Sequence, residues 1–206
     1  MENLILRRMT TGIPKSIGVF QAEEPLYFVL EKKGHRDVRD YKSYLSVYTD
    51  VSGVSYEEAI TLGYWKLYDY FLFNNLGERD LSGAAAGADR AIKMDLTYPV
   101  FEANMGLAWR ISMMIPSKYS MKTVPLPTDS SVHLVNVPEH TVAVIRSSGA
   151  MSAEKNEKNT HQLAGWLKKM GRFIISGQPY VAHQNLFPVF EFLRRTEIHI
   201  PLEIEK

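Results

Sequence analysis

The chain has 206 residues, of which 45% are hydrophobic and 23% charged, and its 24 basic residues nearly balance 23 acidic ones. These values indicate a globular protein with enough apolar side chains for a core, and they exclude a disordered or fibrous chain. A net charge of +1 provides no uniform field that could hold a nucleic-acid backbone or an anionic membrane. We therefore expect no nucleic-acid partner.

The absence of cysteine excludes disulfides, thiolate metal ligands and a thiol nucleophile. The opening MENLILRRMTTG has a very short apolar run before Arg7, too short for the hydrophobic segment of a signal peptide. No later stretch has the length of a membrane span. From these features we expect a cytoplasmic protein.

An internal repeat is suggested by PVFE, which occurs at Pro99–Glu102 and again at Pro188–Glu191. Before the first copy lies RDVRDYKSYLSVYTDVSG, ending at Gly53, and before the second lies VHLVNVPEHTVAVIRSSG, ending at Gly149. Both segments alternate apolar and polar residues around a polar tip, KSY or PEH, which predicts two strands joined by a tight turn. The alternating apolar positions are Val38, Tyr41, Leu45 and Val47 in the first, and Val132, Leu134, Val142 and Val144 in the second.

A helix is predicted directly after each glycine. Ser55 has a glutamate three residues on, the pattern of a capping box, and the first helix should run to about Phe73. Ser152 is the expected N-cap of the second helix, which should end at Met170 before Gly171. Each half then continues through PVFE to a strand ending in Ile-Pro, so the elements recur in order.

The predicted fold is α+β: duplicated ββαββ units form a distorted antiparallel eight-stranded β-barrel flanked by two α-helices. We expect an N-terminal extension over 1–24 and a single domain over 25–206, with pseudo-repeats at about 25–118 and 128–203. The segment Gly77–Ala91, with its LSGAAAGAD, is interpreted as a surface loop.

The chain resembles the SOUL family of haem-binding proteins from about Leu26 to Glu203. The likeness is carried by YFVLEKKGHRDVRDYKSYLSV, by KMDLTYPV, by the central run ISMMIPSKYSMKTVPLPTDSSVHLVNVPEHTVAVIRSSG and by FLRRTEIHIPL near the end. The resemblance implies the same duplicated barrel. It also implies binding of haem or a related tetrapyrrole in a hydrophobic groove beside the first helix, without a chemistry shared by all members.

The first helix, SYEEAITLGYWKLYDYFLF, holds seven aromatic residues, more than a core-facing stripe requires. Its predicted core face is Ile60, Tyr64, Leu67 and Phe71, with a second apolar flank at Trp65, Tyr68 and Leu72. A flat apolar ligand would pack on these rings and leave its carboxylates to basic residues at the rim, Lys66 first, assisted by Arg90 or Lys93. The candidate ligand-binding residues are therefore Tyr64, Trp65, Lys66, Tyr68, Phe71, Leu72, Arg90 and Lys93. The alternative is that the extra rings cover a barrel end or a subunit contact.

No iron ligand can be assigned from the sequence. The six histidines form no metal-binding spacing: His35 and His140 are expected at turn tips, His133, His183 and His199 in strands, and His161 on the polar second helix. Some SOUL members have a histidine after the Ile-Arg of the early strand, where this chain has Val38-Arg39-Asp40. A tyrosinate from Tyr64 or Tyr68 is the other option.

The predicted fold is also similar to the GyrI-like effector-binding domains of bacterial multidrug regulators. That resemblance implies a carboxylate inside the barrel that meets cationic aromatic ligands, and some relatives hydrolyse small molecules. Carboxylates on the repeated strands are Glu102, Glu191 and Glu197. Glu197, buried with a raised pKa, could act as a general acid or base, or it could form a structural ion pair with Arg110, Arg194 or Arg195. Among a tetrapyrrole carrier or buffer, a small-molecule binder or hydrolase using Glu197, and a protein interaction module, we favour the carrier.

Overall fold

The computed structural model describes residues 22–77, 91–148, 152–184 and 195–204. In chain order the elements are β1 (Tyr27–Lys33), β2 (Arg36–Tyr41), β3 (Tyr44–Ser52), α1 (Tyr56–Leu72), β4 (Asn75–Leu76), β5 (Val100–Asn104), β6 (Ala108–Met114), β7 (Leu126–Pro127), β8 (Val132–Val137), β9 (His140–Ser148), α2 (Ala153–Met170), β10 (Phe173–Ile175), β11 (Tyr180–His183) and β12 (Arg195–Ile204). Antiparallel sheet with two helices confirms the α+β class.

The chain divides into two compact units. The terminal unit consists of the described parts of Met1–Ser43 and Pro138–Lys206, and the central unit is Tyr44–Val137. In the terminal unit the strands lie in the order β1, β2, β9, β12, β11, and β10 also pairs with β12. In the central unit the order is β5, β6, β3, β8, and β4 pairs separately with β7.

The strands on either side of the KSY and PEH tips do not pair with each other, so the expected tight hairpins are wrong. Instead, β2 pairs with β9 over Arg36–Tyr41, and β3 pairs with β8 over Tyr44–Thr49. The strand β2, from the first predicted repeat, therefore lies in the terminal unit with α2, the helix of the second repeat. The strand β8, from the second repeat, lies in the central unit with α1. Strand pairing is a non-local choice, and alternation within one segment carries no information about the partner strand.

Both helices begin and end close to the predicted residues. Ser55 caps α1 by accepting a hydrogen bond from the backbone N–H of Glu58 at 3.3 Å. Ser152 caps α2 in the same way, and Gly171 ends it in the left-handed conformation, with a φ of 67° that favours glycine. These local signals were sufficient because capping involves only neighbouring residues.

In the terminal unit, α2 covers one face of the sheet. Leu163 and Leu167 are buried, together with Trp166. They pack in one cluster with strand residues that include Val38 and Ile198. The helix thus buries one narrow apolar stripe and leaves its charged side exposed.

The same sheet buries an ion pair between β2 and β12 that reaches across β9. Nη1 and Nη2 of Arg39 donate to the two carboxylate oxygens of Glu197 at 2.8 and 2.7 Å. The side chains of Arg39 and Glu197 are only 2% and 6% exposed. Arg39 also pairs with Asp37, whose second oxygen is paired with Arg146. Two arginines face two carboxylates, so the cluster is balanced in charge.

In the central unit, α1 packs on β3 and β6. The closest approach is at Gly63, where an added Cβ would lie 2.6 Å from Cγ1 and Cδ1 of Ile111 and 2.9 Å from its Cβ. Ile111 is fully buried in β6. Only glycine therefore allows the helix to sit this close to the sheet, and this contact determines which side of α1 faces the core.

Parts of the predicted pattern lie outside the described residues: the second PVFE, and nearly all of the Gly77–Ala91 segment. Within the described part of the chain, neither helix is long and apolar enough to cross a membrane.

We predict that Gly63→Ala destabilises the protein by about 1–2 kcal/mol, because crowding against Ile111 outweighs the gain in helix propensity. Gly165→Ala in α2 is the matched control. Nothing lies within 4 Å of a Cβ added there, so the free energy of unfolding should rise by up to about 1 kcal/mol. Denaturant unfolding of both variants measures the change in the free energy of unfolding. Equal stabilisation in the two would contradict the close contact at Gly63.

We also predict that Arg39→Met lowers the free energy of unfolding by about 3–5 kcal/mol at pH 7, because Glu197 would stay buried without its cation. Adding Glu197→Leu should recover part of this loss. Lys42→Met, which removes the exposed pair with Glu139, should cost less than about 1 kcal/mol.

The effect of Arg39→Met should depend on pH. In the folded native chain the pKa of Glu197 lies below its ordinary value of 4.5, so the contribution of the pair is complete above about pH 4.5 and declines as the pH falls further. The stability difference between the native chain and Arg39→Met should therefore shrink below that pH. A difference that is constant between pH 7 and pH 3 would contradict a buried charged pair.

Candidate functional site

The core-facing side of α1 is rotated from the predicted one. The buried residues are Ala59, Gly63, Leu67, Tyr70 and Phe71. Leu67 and Phe71 were predicted correctly, whereas Ile60 and Tyr64 are only half-buried because the small residues one position earlier touch the sheet. This rotation turns Tyr64 partly out of the core.

Three aromatic side chains form a connected group on the outer side of α1, which we call the ring cluster: Tyr64, Trp65 and Tyr68. The ring centroids of Trp65 lie 5.5 Å from Tyr64 and 5.3 Å from Tyr68, both in edge contacts, and Tyr64 lies 6.1 Å from Tyr68. Trp65 is 52% exposed, and the two tyrosines are half-buried. Mutual packing holds the rings in place while an apolar surface stays open to solvent.

The helix of the other unit provides a comparison. None of the side chains of α2, all of which are described, is an exposed large hydrophobic one, whereas α1 has Tyr56, Leu62 and Trp65 exposed, followed by Phe73 at its C-cap. Surface hydrophobic residues that occur singly are ordinary, but a group on one helix is characteristic of a binding surface.

A segment after the predicted loop runs beside the ring cluster. The backbone N–H of Met94 donates to the carbonyl of Phe71 at 2.8 Å. Burial, followed by the neighbouring phenols of Tyr98 and Tyr68, raises the pKa of Tyr64 to about 12. Phe71 and Tyr64 are about two turns apart on one flank of α1, so residues 94–98 follow that flank. This places the exposed Lys93 at the C-terminal end of the ring cluster.

Lys66 is directed elsewhere. It lies two residues after Tyr64 and two before Tyr68, about 160° around the helix from each. Its Nζ donates to Oγ of Ser131 at 2.9 Å, and that hydroxyl donates to Asp129 at 2.7 Å. Lys66 therefore points away from the ring cluster, whereas the sequence predicted it at the rim of the binding site.

The other candidate residues divide into three groups. Phe71 is fully buried on the core-facing side of α1, so its ring offers no surface to a ligand. Leu72 is half-buried, one turn after Tyr68. Arg90 lies outside the described residues.

The structure provides little support for an iron ligand on the ring cluster. Burial raises the pKa of Tyr64, so its neutral phenol is favoured in the chain without iron, although coordination to a cation would lower that pKa again. No group of three or more metal-binding side chains occurs among the described residues. His199 is fully buried beside Glu197, and His161 is exposed on α2, as expected for structural and solvent-facing side chains.

Glu197 is a paired carboxylate and not a free one. Burial acts to raise its pKa, but the guanidinium of Arg39 and a hydrogen bond from His199 at 3.1 Å outweigh this and hold the pKa well below the usual range. Of the two alternatives for Glu197, the structural ion pair is confirmed and the raised pKa is wrong. The partner differs from those expected, because Glu197 pairs with Arg39 and approaches Arg146, whereas Arg110 pairs with Asp50. Arg194 lies outside the described residues.

Of the other two candidate carboxylates, the described one is already hydrogen-bonded. Glu102 is buried and accepts a hydrogen bond from the hydroxyl of Tyr56 at 2.6 Å. Burial and this carboxylate raise the pKa of Tyr56, which keeps the phenol protonated. Glu191 lies outside the described residues.

Arg39 was not predicted as the partner of Glu197, although the sequence contains a signal for it. In RDVRDY, Asp37, Arg39 and Tyr41 alternate with Val38, so they share one face of β2. In RTEIHI, Glu197 and His199 share one face of β12 in the same way. Polar residues of opposite charge at the inner positions of two strands indicate a buried pair, but the two residues are 158 positions apart in the chain, so the sequence does not show that they pair.

Comparisons with known proteins relate the chain to proteins of the same fold. Human Heme-binding protein 2 is 28% identical over 172 residues, covering 80% of this chain and 77% of that protein. The crystal structure of the EcmrR C-terminal domain matches with a TM-score of 0.58 at 11% identity, covering 82% and 97% of the two chains. A hydrolase from Listeria innocua matches with a TM-score of 0.54 at 13% identity, covering 84% and 94%. At such low identity, the two structures support the fold alone.

The model of one protein family, described as SOUL heme-binding protein, matches residues 22–201. That range includes both units and both helices. The chain therefore belongs to the SOUL heme-binding protein family.

Proposed function

We propose that this chain binds haem or a related tetrapyrrole against the ring cluster of α1 and acts as a carrier or buffer. Membership of the SOUL family and the name of the human relative support the class of ligand. The observation that carries the proposal is the half-exposed Trp65, held edge-on against both Tyr64 and Tyr68. Such a surface suits one face of a flat, apolar macrocycle.

The chemistry of the cluster fits a tetrapyrrole ring better than it fits iron. The aromatic edges and Leu72 offer contact to a macrocycle with or without its metal, and bound haem iron would supply redox and ligand chemistry of its own. Lys93, exposed at the end of the cluster, can pair with a carboxylate at the rim of the ligand. Affinity then comes from ring burial and a rim charge, which suits a ligand that must be released again.

The alternative function, binding or hydrolysis of cationic aromatic molecules by Glu197, requires that carboxylate to be free, and it is already paired. The guanidinium of Arg39 already fills the position of the cation, lying over the ring of Tyr27 at 4.4 Å and bonding to both oxygens of Glu197. A ligand cation would have to displace a buried bidentate pair.

The first test is a titration of the protein with haemin and, in parallel, with iron-free protoporphyrin, following the Soret band. We expect saturable one-to-one binding of both. Trp65→Ala should weaken both affinities roughly tenfold, equivalent to about 1.4 kcal/mol of lost contact, and Trp65→Phe should retain most of the affinity.

Ile174→Ala is the control, because Ile174 is 49% exposed, close to the value for Trp65, but lies on β10. It should leave both affinities unchanged. Binding of haemin without protoporphyrin would show that a metal ligand dominates. Unchanged affinity in Trp65→Ala would remove the ring cluster as the site and leave the subunit-contact explanation of the rings.

The rim charge is tested by a matched pair, Lys93→Gln and Lys66→Gln, each of which removes one positive charge. Lys93→Gln should weaken tetrapyrrole binding about three- to tenfold at low salt, with a smaller effect at high salt, because the pairing is exposed and screened. Lys66→Gln should have no effect, since Lys66 bonds to Ser131 on the far flank. If Lys66→Gln weakened tetrapyrrole binding and Lys93→Gln did not, Lys66 would be the partner of the ligand carboxylate, and the role given to Lys93 would be wrong.

A further inference from the structure

One end of the central unit carries apolar side chains on two neighbouring turns. The turn between β5 and β6 exposes Met105 (51%) and Leu107 (95%), and the turn between β3 and α1 exposes Val54 (39%). Ser52 lies opposite Ala108 in the strand register, so the two turns are side by side. We call Val54, Met105 and Leu107 the apolar tip.

The residues behind the apolar tip are ordered by polarity. Trp109, half-exposed on β6, contacts the ring of Tyr56 with a centroid distance of 4.8 Å. One residue further along β6, Arg110 forms a two-point ion pair with Asp50 of β3, both bonds 2.8 Å long. Along the strands, therefore, aliphatic side chains come first, then amphipathic rings, then charges. Aromatic residues prefer this intermediate level at the boundary between lipid and water.

Two backbone N–H groups of the turn between β5 and β6 are hydrogen-bonded within the turn. The N–H of Gly106 donates to Oδ1 of Asn104 at 2.7 Å, and the N–H of Met105 donates to the carbonyl of Ala108 at 2.9 Å. Gly106 has a φ of 86°, which permits the tight reversal. A turn that enters lipid must pair its own backbone groups, because the hydrocarbon region offers no partner. A turn that enters a protein groove can instead take hydrogen-bond partners from the groove.

The charges around the apolar tip indicate what kind of partner surface it can bind. Residues 51–56 and 100–109 contain no lysine or arginine, and the exposed charges next to Val54 are those of Glu57 and Glu58. An anionic surface would be repelled by these two carboxylates. The charge distribution fits an electrically neutral surface.

We propose that the apolar tip inserts into the interfacial region of a zwitterionic phospholipid bilayer, with Leu107 deepest and the Tyr56–Trp109 pair at the headgroup level. This is peripheral docking by a turn and does not require a membrane-spanning helix. It does not rest on tetrapyrrole binding, since the tip and the ring cluster share no residue. Either proposal can therefore fail alone.

The experiment is vesicle flotation of the full chain, without haem, on phosphatidylcholine vesicles and on vesicles with added phosphatidylserine. The native chain should bind phosphatidylcholine vesicles, no more tightly with phosphatidylserine, and with little dependence on salt. Leu107→Glu should reduce binding at least tenfold. Met121→Glu is the control, because Met121 is equally apolar and 56% exposed but follows the opposite end of β6, roughly 20 Å away along the strand.

Depth is measured with a fluorescent probe at a single cysteine, which is practical because the chain has none of its own. A polarity-sensitive label on Leu107→Cys should shift to the blue with vesicles and be quenched by a lipid-chain quencher, whereas the label on Met121→Cys should not respond. Equal flotation of Leu107→Glu and the native chain, binding only to anionic vesicles, or a Leu107→Cys label that responds to a protein partner and not to vesicles would each overturn the proposal.

Discussion

The close approach of α1 to β6 at Gly63 is the contact on which the proposed binding surface depends. With Ile111 filling the space where a Cβ would lie, the helix is fixed with Ala59, Gly63 and Leu67 toward the sheet. With these three residues on the core-facing side, the rings of Tyr64, Trp65 and Tyr68 are left on the outer side of α1. Trp65 is half-exposed for this reason, and its orientation is a consequence of core packing at a position that bears no side chain.

The two units combine a sheet with a helix in different ways. In the terminal unit, α2 presents Leu163, Trp166 and Leu167 to the sheet and charges to the solvent, while an ion cluster is buried in the sheet. In the central unit, the helix carries aromatic residues on its outer side. Burying Arg39 with Glu197 is costly unless both charges are bonded, as they are, so neither side chain is free to bind a ligand. Ligand binding is accordingly proposed for the central unit.

The sequence was most informative where the physics is local. Serine caps and a terminal glycine predicted both helices nearly to the residue, and alternation located β2, β3, β8 and β9. The rotation of α1 was missed because apolar periodicity gives weight to Ile60 and Tyr64 and little to Ala59 and Gly63, although close packing favours the smaller side chains. The partner strands of β2 and β8 were missed because pairing is decided by contacts that are distant in the chain. The same distance concealed the partner of Glu197.

The apolar tip and the ring cluster are joined by a single helix, and this gives the two proposals a common geometry. Tyr56, behind the tip, is the first residue of α1, and Tyr64 follows about 12 Å along the axis at 1.5 Å per residue. A chain docked by Leu107 would thus hold its ring cluster within a short distance of the headgroups, where apolar macrocycles partition from water. Since neither the tip nor the cluster depends on a buried charge, weak and reversible contacts at both are sufficient for loading and release. Tight iron ligation is not required for that role.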